Sequence, residues 1–527
     1  MITLLRKTRS VCPVCLKQVN AVIVRRADGV YMEKTCPAHG DFSVPVWRDN
    51  IDLESWRGDP PEVGDAENLA CPQGCAGCTE HRQGTCCVLL EVTQACNLHC
   101  SFCFAHGGEG GTVVSGAVSA APAEAAATAG PADTAYATVA DGANTSGTTG
   151  ADGAARTAAQ PDIATLKRAI DVIMDTDDKP LLQFSGGEPT LRDDLPALIA
   201  YARARGCRYT QLNTNGVRLA EDEAYVQALA EAGLSFVFLQ FDGIGDEVNI
   251  ALRGQALYET KLRAIRMCDR YHIGVTLVPT VVRGVNDTQI GEIIRLGASL
   301  SPAVRGVHFQ PVSYFGRYPV QPDDAARITL DELLDMIHLQ AGVALSALLP
   351  SRCDHPLCGF HGSFLINGEK LIPLSNADSI EETETVTAKQ NREYVGRHWE
   401  RPAEGDTDGA HEPMEQSGDC CCDGDEEDAQ DGGCCGGDGA TDTSGEGCCC
   451  DDDQDEDCCC TDDYATFDGF LEGVRKHGFT LSAMAFQDAM NLDIERLRQC
   501  SLHVYRDGAM MPFCARYLTP LAQTRPR

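Results

Sequence analysis

The chain has 527 residues, enough for two to four domains with a sizeable core, and carries a formal net charge of −35. Residues 403–463 hold 23 Asp and Glu and no Lys or Arg, which leaves the rest near −12 and argues against nucleic acid as a general partner. No run approaches eighteen apolar residues, and the start, MITLLRKTRS, lacks a signal peptide's apolar stretch, so the expectation is a soluble cytoplasmic protein. Clustered, closely spaced cysteines then read as metal ligands more than as disulfides. Nine lysines stand against 34 arginines; an acidic surface in a high-salt, halophilic cytoplasm and genomic compositional bias explain that deficit equally well.

Residues 1–50 read as a small metal module. Cys12-Pro-Val-Cys15 and Cys36-Pro-Ala-His39 flank a β-prone stretch, Val19 to Met32, as in a zinc-ribbon or rubredoxin-like hairpin holding one mononuclear Zn or Fe. Residues 51–86 follow as an auxiliary-cluster segment. Cys71, Cys75 and Cys78 form a Cys-x3-Cys-x2-Cys triad with no preceding strand, and Cys86 supplies a fourth thiolate; four thiolates suit a closed iron–sulfur cluster or zinc, and Cys87 is the neighbour able to substitute.

The second triad, Cys96, Cys100 and Cys103, has different surroundings. It follows the β-prone run Cys87–Thr93 (CVLLEVT) and carries Phe102 just before its last cysteine, which places it on a loop at the C-terminal end of a strand. Three thiolates leave one iron of a 4Fe-4S cluster open to a cofactor or substrate, whereas four would only hold or pass electrons. A ferredoxin-like electron carrier or a zinc knuckle is the alternative for this pattern.

Residues 106–160 are rich in Ala, Gly, Thr and Ser and are expected to be a disordered insertion. Alternation then resumes. Helices are expected over Ile163–Met174, Asp194–Arg205, Glu221–Ala232, Leu257–Tyr271 and Thr288–Leu300; strands over Pro180–Ser185, Tyr209–Asn213, Leu234–Phe241, Gly274–Val282 and Gly306–Pro311. Such βαβ alternation implies a parallel sheet, and about six units imply an α/β fold closed as a partial or complete barrel over residues 87–320. Residues 321–527 are left as a C-terminal auxiliary-cluster region, interrupted at 401–463 by an acidic stretch with 11 cysteines that reads as a second disordered insertion, with metal buffering as the alternative. Cys353, Cys358, Cys500 and Cys514 make a further set of four around that insertion; Cys87, Cys207 and Cys268 remain as buried structural thiols.

Ser185-Gly186-Gly187-Glu188-Pro189 ends the strand after the second triad, with glycines that admit close approach and Glu188 as a partner for an ammonium group. Asn213 and Asn215, then Gln240 and Asp242, close later strands at positions where barrel enzymes place ligands, although Asn-Gly and Asp-Gly also make ordinary turns. The triad with its aromatic residue and the GGEP segment resemble the radical S-adenosylmethionine (SAM) enzymes, despite an unusual 83 residues from Cys103 to Gly186. Together with CPVC, CPAHG, CPQGCAGC and the late cysteines, they resemble the archaeal multi-cluster proteins that include tetraether lipid synthase and the class D methyltransferases.

The resemblance implies a 4Fe-4S cluster on Cys96, Cys100 and Cys103 that binds SAM, with Phe102, Gly186, Gly187, Glu188, Asn213, Asn215, Gln240 and Asp242 around the cofactor. It also implies two auxiliary clusters and an external electron donor such as ferredoxin. Reductive cleavage of SAM gives a 5′-deoxyadenosyl radical that takes hydrogen from an unactivated carbon. The favoured reaction is joining of archaeal lipid chains, with peripheral membrane contact; the alternative is a methyltransferase whose small, pterin-like substrate receives a methylene group. A non-catalytic iron–sulfur electron carrier is the third reading.

Overall fold

The computed structural model describes residues 2–57, 71–72, 74–75, 80–105, 160–319, 322–351, 353–375, 386–401 and 467–521. Residues 106–159 and 402–463 of the two expected insertions, and Cys78, lie outside the described residues. Residues 1–401 and 477–527 form one compact unit; 402–476 form another, whose described part belongs to a helix at Phe467–His477.

In chain order the elements are β1 (Thr3–Val11), β2 (Gln18–Arg26), β3 (Gly29–Cys36), β4 (Gly40–Trp47), α1 (Leu53–Arg57), β5 (Cys87–Thr93), α2 (Ile163–Met174), β6 (Leu181–Gly186), α3 (Leu195–Ala204), β7 (Thr210–Thr214), α4 (Val217–Glu221), α5 (Glu223–Glu231), β8 (Phe236–Gln240), α6 (Asp246–Arg253), α7 (Tyr258–Arg270), β9 (Gly274–Val278), β10 (Thr280–Val281), α8 (Ile290–Ser299) and β11 (Val304–Pro311). The later part adds α9 (Leu330–Ala341), β12 (Leu349–Pro350), β13 (Gly359–Asn367), β14 (Lys370–Pro373), α10 (Ala388–Trp399), α11 (Phe467–His477), β15 (Gly478–Met484), α12 (Ile494–Arg498), β16 (Leu502–Arg506), β17 (Ala509–Pro512) and α13 (Phe513–Arg516).

Strands β1 to β4 make an antiparallel four-stranded sheet in sequence order, the body of the N-terminal ribbon. The large sheet runs β12-β13-β15-β11-β9-β8-β7-β6-β5-β16-β17. From β16 to β15 every pairing is parallel, and only β13 against β15 and the short end strands run antiparallel. The fold is α/β as the βαβ alternation implied, but the sheet has two ends among the described residues: it is an open barrel, not a complete one.

Apolar strands buried on both faces explain the parallel core. Leu182, Phe184, Leu212, Val237, Leu239, Val275, Leu277, Val307 and Phe309 meet the inward faces of α2, α3, α5, α7 and α8 in one continuous core. The sheet does not stop near residue 320. β15 pairs with β11 through Gly306–Phe309 opposite Thr480–Ala483, and β16 pairs with β5, so the C-terminal chain supplies strands on both sides of the expected barrel. No described helix is long and apolar enough to cross a membrane.

The ribbon is tied to the segment before α12. Asp493 caps α12, accepting from the Glu495 amide at 3.1 Å, and also takes the Thr8 hydroxyl at 2.7 Å and the Arg6 guanidinium. Lys34 is buried and donates to Ser10 Oγ and the Ala489 carbonyl, both at 2.9 Å. Burial would raise the Asp493 carboxyl, but Arg6 and Thr8 hold it below its ordinary range. Its contribution is therefore complete above the unfolded carboxylate pKa of about 4 and is lost as pH falls through the lower folded value. Asp493→Ala, which removes a cap and strands the Arg6 charge, is expected to cost about 2–3 kcal/mol in denaturant unfolding at pH 7, a difference that shrinks as the pH is taken below 4.

Candidate functional site

At the C-terminal end of the strands lies a cavity of about 340 Å³. Its wall includes Cys96, Cys100 and Cys103, and also Phe102, Gly186, Gly187, Glu188, Asn213, Asn215 and Gln240. Of the residues expected around the cofactor, Asp242 alone is off this wall. It is fully buried and grips Arg253, with Oδ2 taking Nε at 2.7 Å and Oδ1 taking Nη2 at 2.6 Å. Burial opposes the Asp242 charge, yet Arg253 and Lys261 hold its carboxyl below the usual range. The guanidinium, not the carboxylate, faces the cavity: Arg253 stands beside Cys100, donates to Thr280 Oγ1 at 3.0 Å, and faces the Gln240 amide, whose oxygen, turned toward it, accepts at 3.0 and 3.1 Å.

The triad loop is pinned on several sides. Cys103 exchanges two backbone hydrogen bonds of 2.9 Å with Arg317, whose Nε donates to the Cys100 carbonyl at 3.0 Å. Ser101 donates its amide to the Leu252 carbonyl. Asn97, between the first two cysteines, takes the Asn215 side-chain amide at 2.7 Å. Phe102 packs against a buried group that includes Val248, Leu252, Tyr314 and Tyr318.

The two glycines of GGEP serve the chain itself. Gly187 donates its amide to the Thr93 carbonyl at 2.7 Å, and Glu188 donates to the Ala95 carbonyl at 2.8 Å. A Cβ on Gly186, where φ is +119°, would collide with the Thr93 carbonyl oxygen, and one on Gly187 with that of Ala95. The strand end and the segment leading to Cys96 can lie this close only because neither residue has a side chain.

Glu188 is 2% exposed and accepts from the Thr190 amide and hydroxyl, the Thr214 hydroxyl and the Asn215 amide at 2.7–3.1 Å. Three of these bonds fall on Oε1 and one on Oε2, so the carboxylate is rigidly aimed and retains capacity on Oε2. Burial raises its pKa against those four donors. Burial likewise pushes the Cys96 thiol up to about 12, with Glu188, Cys100 and Cys103 adding repulsion. Three thiols and a carboxylate thus share one end of a cavity whose single described Lys or Arg is Arg253, already bound to Asp242. That donor set fits a metal cluster, which would supply the missing positive charge and keep the thiolates ionised.

In the ribbon, Cys12, Cys15, Cys36 and His39 place their ligand atoms within 4.8 Å of one another, with His39 Nδ1 at 3.4 Å from both Cys12 and Cys36 sulfurs. The Ala38 amide and His39 lower the Cys36 thiol to about 6, which readies it as a ligand. The other described cysteines lie as follows. Cys71 and Cys75 share a buried patch with Cys514, while Cys86 shares one with Cys353. Cys358, Cys500 and Cys514 act on one another electrostatically, with Arg496 facing Cys358 and Cys514. Cys207 and Cys268 are buried, as expected; Cys87 is only partly buried and lines the cavity beside Cys86.

The far wall of the cavity was not legible as a site. It includes Phe238, His308, His361, Tyr394, His398 and Trp399, from β8, β11, β13 and α10. The available signal was the spacing of Asn391, Tyr394 and His398 in one turn-by-turn row after the Thr387–Gln390 capping box.

Residues 90–297 match the radical SAM superfamily, and residues 4–48 match the HMPTM N-terminal zinc ribbon domain. The 7,8-dihydro-6-hydroxymethylpterin dimethyltransferase of Methanocaldococcus jannaschii is 27% identical over 97% of this chain and 92% of its own length. The Fe-coproporphyrin III synthase of Methanosarcina barkeri is 42% identical over 19% of this chain and 25% of its own. Among solved structures, methylornithine synthase covers 49% of this chain and 63% of that chain at 13% identity and a TM-score of 0.32, and Streptococcus suis SuiB covers 46% and 43% at 13% identity and a TM-score of 0.31.

Gly187→Ala forces the Thr93–Cys96 segment off β6. It is expected to lower the iron bound per chain after anaerobic reconstitution and to cut SAM cleavage at least tenfold while leaving the fold of the ribbon unchanged; iron is read by elemental analysis.

Proposed function

From the premise that the chain is a radical SAM enzyme, we propose that it methylates a small pterin-like ring. The observation that carries this reading is the composition of the cavity. The triad end is continuous with a wall of rings, amides and imidazoles, which suits a flat polar heterocycle lying next to SAM. Likeness to the pterin dimethyltransferase along nearly the whole chain, ribbon included, supports the same reading. Joining of lipid chains, the reaction favoured from the sequence, has less support. An alkyl chain lying along Gln183, Asp354, Asn391 and Ser482 would exclude water from polar side chains without offering them a hydrogen bond.

On this reading Cys96, Cys100 and Cys103 hold a 4Fe-4S cluster, which supplies one-electron reductive cleavage of SAM and so access to an unactivated C–H bond. The chain's own residues do the placing. Gly186 and Gly187 let the Thr93–Cys96 segment lie against β6, which sets Cys96. Glu188, fixed by four donors, turns its remaining Oε2 capacity toward the amino group of SAM. Asn213, Asn215 and Gln240 offer amides at the strand ends, and Phe102 covers the triad. Arg253, oriented by Asp242, sets a positive charge beside Cys100 and favours the reduced, more negative state of the site.

Cys71, Cys75, Cys78 and Cys86, with Cys353, Cys358, Cys500 and Cys514, are the ligands available for auxiliary clusters, and an external donor such as ferredoxin would supply the electron. Cys12, Cys15, Cys36 and His39 form a three-sulfur, one-nitrogen set that suits zinc better than a four-thiolate iron site.

The test is turnover of the reconstituted, reduced protein with SAM as radical source, a methylene-carrying reduced pterin as one-carbon donor, and either 7,8-dihydro-6-hydroxymethylpterin or an archaeal lipid extract, followed by mass spectrometry. The expected result is a methylated pterin and pterin-dependent 5′-deoxyadenosine, both abolished in Cys100→Ala while the ribbon zinc is retained. Nucleoside formation that responds to lipid and not to pterin would overturn the reading.

A further inference from the structure

Helix α10 turns one face to the cavity through Asn391, Tyr394, Val395, His398 and Trp399, positions that recur every three to four residues. Rings from the sheet continue that face. Phe238 meets Trp399 edge-on at 4.7 Å between centroids and His308 at 5.4 Å; Tyr394 lies 4.1 Å from His398 and 5.7 Å from His361. No described Lys or Arg lies on this face. The His308 Nδ1 is paired with Ser482 Oγ at 2.9 Å, and burial brings its imidazole down to about 4, so it is neutral and leaves Nε2 to the cavity. Burial also lowers His398, whose Nδ1 faces the Tyr394 carbonyl at 2.7 Å. Among the described residues the single Lys or Arg lining the whole cavity is Arg253, held by Asp242 at the triad end. Asp354 is on the same wall, its Oδ1 taking the Ser501 amide at 2.6 Å.

We infer that the α10 face seats a neutral, planar nitrogen heterocycle and rejects the same ring once it carries a phosphate. The inference rests on the small-ring reading above and adds to it the residues and the charge state of the substrate. The flat rings offer stacking surface, and Nε2 of His308 with the side-chain oxygen of Asn391, whose amide nitrogen donates to Cys86 Sγ at 3.3 Å, offers uncharged hydrogen bonds to a ring's nitrogens and amino groups. A phosphate placed here would be stripped of water with no described Lys or Arg to meet it. The reaction that supplies this substrate must therefore deliver the free ring alcohol, and any phosphorylation of the ring belongs to another step.

The test uses the reconstituted full-length protein, with binding of 7,8-dihydro-6-hydroxymethylpterin and of its phosphate ester measured by calorimetry in wild type, Tyr394→Leu and Tyr394→Phe. Wild type is expected to bind the alcohol at least tenfold more tightly than the ester. Tyr394→Leu is expected to weaken alcohol binding at least tenfold, Tyr394→Phe less than threefold, and neither to change SAM affinity. Should Tyr394→Leu lose SAM binding as well, His398→Leu carries the comparison with the same expected loss. Pterin binding in the Leu variants equal to wild type, or tighter binding of the ester, overturns the inference while leaving the pterin reading in place. A wild type that binds SAM but neither pterin overturns the substrate reading itself, and this inference with it.

Discussion

Where β5 and β6 end, their backbones lie closer together than side chains would permit, and the rest of the site is built outward from that approach. The amides of Gly187 and Glu188 reach the carbonyls of Thr93 and Ala95, across a gap that a Cβ at residue 186 or 187 would close. The contact fixes Cys96 at the rim of the sheet and at the same time turns Glu188 under it, where Thr190, Thr214 and Asn215 hold the carboxylate. From there the order propagates sideways: Asn215 holds Asn97 inside the triad loop, and Arg317 holds Cys103 and the Cys100 carbonyl from the other side. A three-thiol site must be set by such backbone contacts, because its ligands all sit on one loop and cannot brace one another.

Charge explains the division of the cavity. The triad end gathers three sulfurs and a buried carboxylate around one engaged guanidinium, an arrangement that calls for a cationic cluster and a cationic cofactor. The α10 end is lined by neutral rings. Both ends open into one space, so on the proposed reading SAM and the ring lie in a single cavity.

Much of the fold was legible because it is locally encoded. Cys87–Thr93 and Ile163–Met174 have the expected bounds, since a continuous β-branched and leucine run and a 3.6-residue apolar repeat each specify one element. The ribbon ligands were legible from two short knuckles spaced by a hairpin. What escaped is nonlocal. β15 and β16 are short strands whose place is set by pairing with β11 and β5 across hundreds of residues, and nothing in GFTLSAM or LHVYR names those partners. Asp242 was read as a ligand from its place at a strand end, but its charge is consumed by Arg253 eleven residues on, a pairing visible only once α6 folds back.

The central claim is that Cys96, Cys100 and Cys103 leave one iron free for SAM at the end of β5. The most direct measurement is electron paramagnetic resonance of the reduced, reconstituted protein with and without SAM, using SAM labelled at its amino nitrogen and carboxylate. The account predicts a changed cluster signal and magnetic coupling to the labelled atoms, with the coupling absent in Cys100→Ala. A reduced cluster whose spectrum is indifferent to SAM, in protein with full iron content, would contradict it.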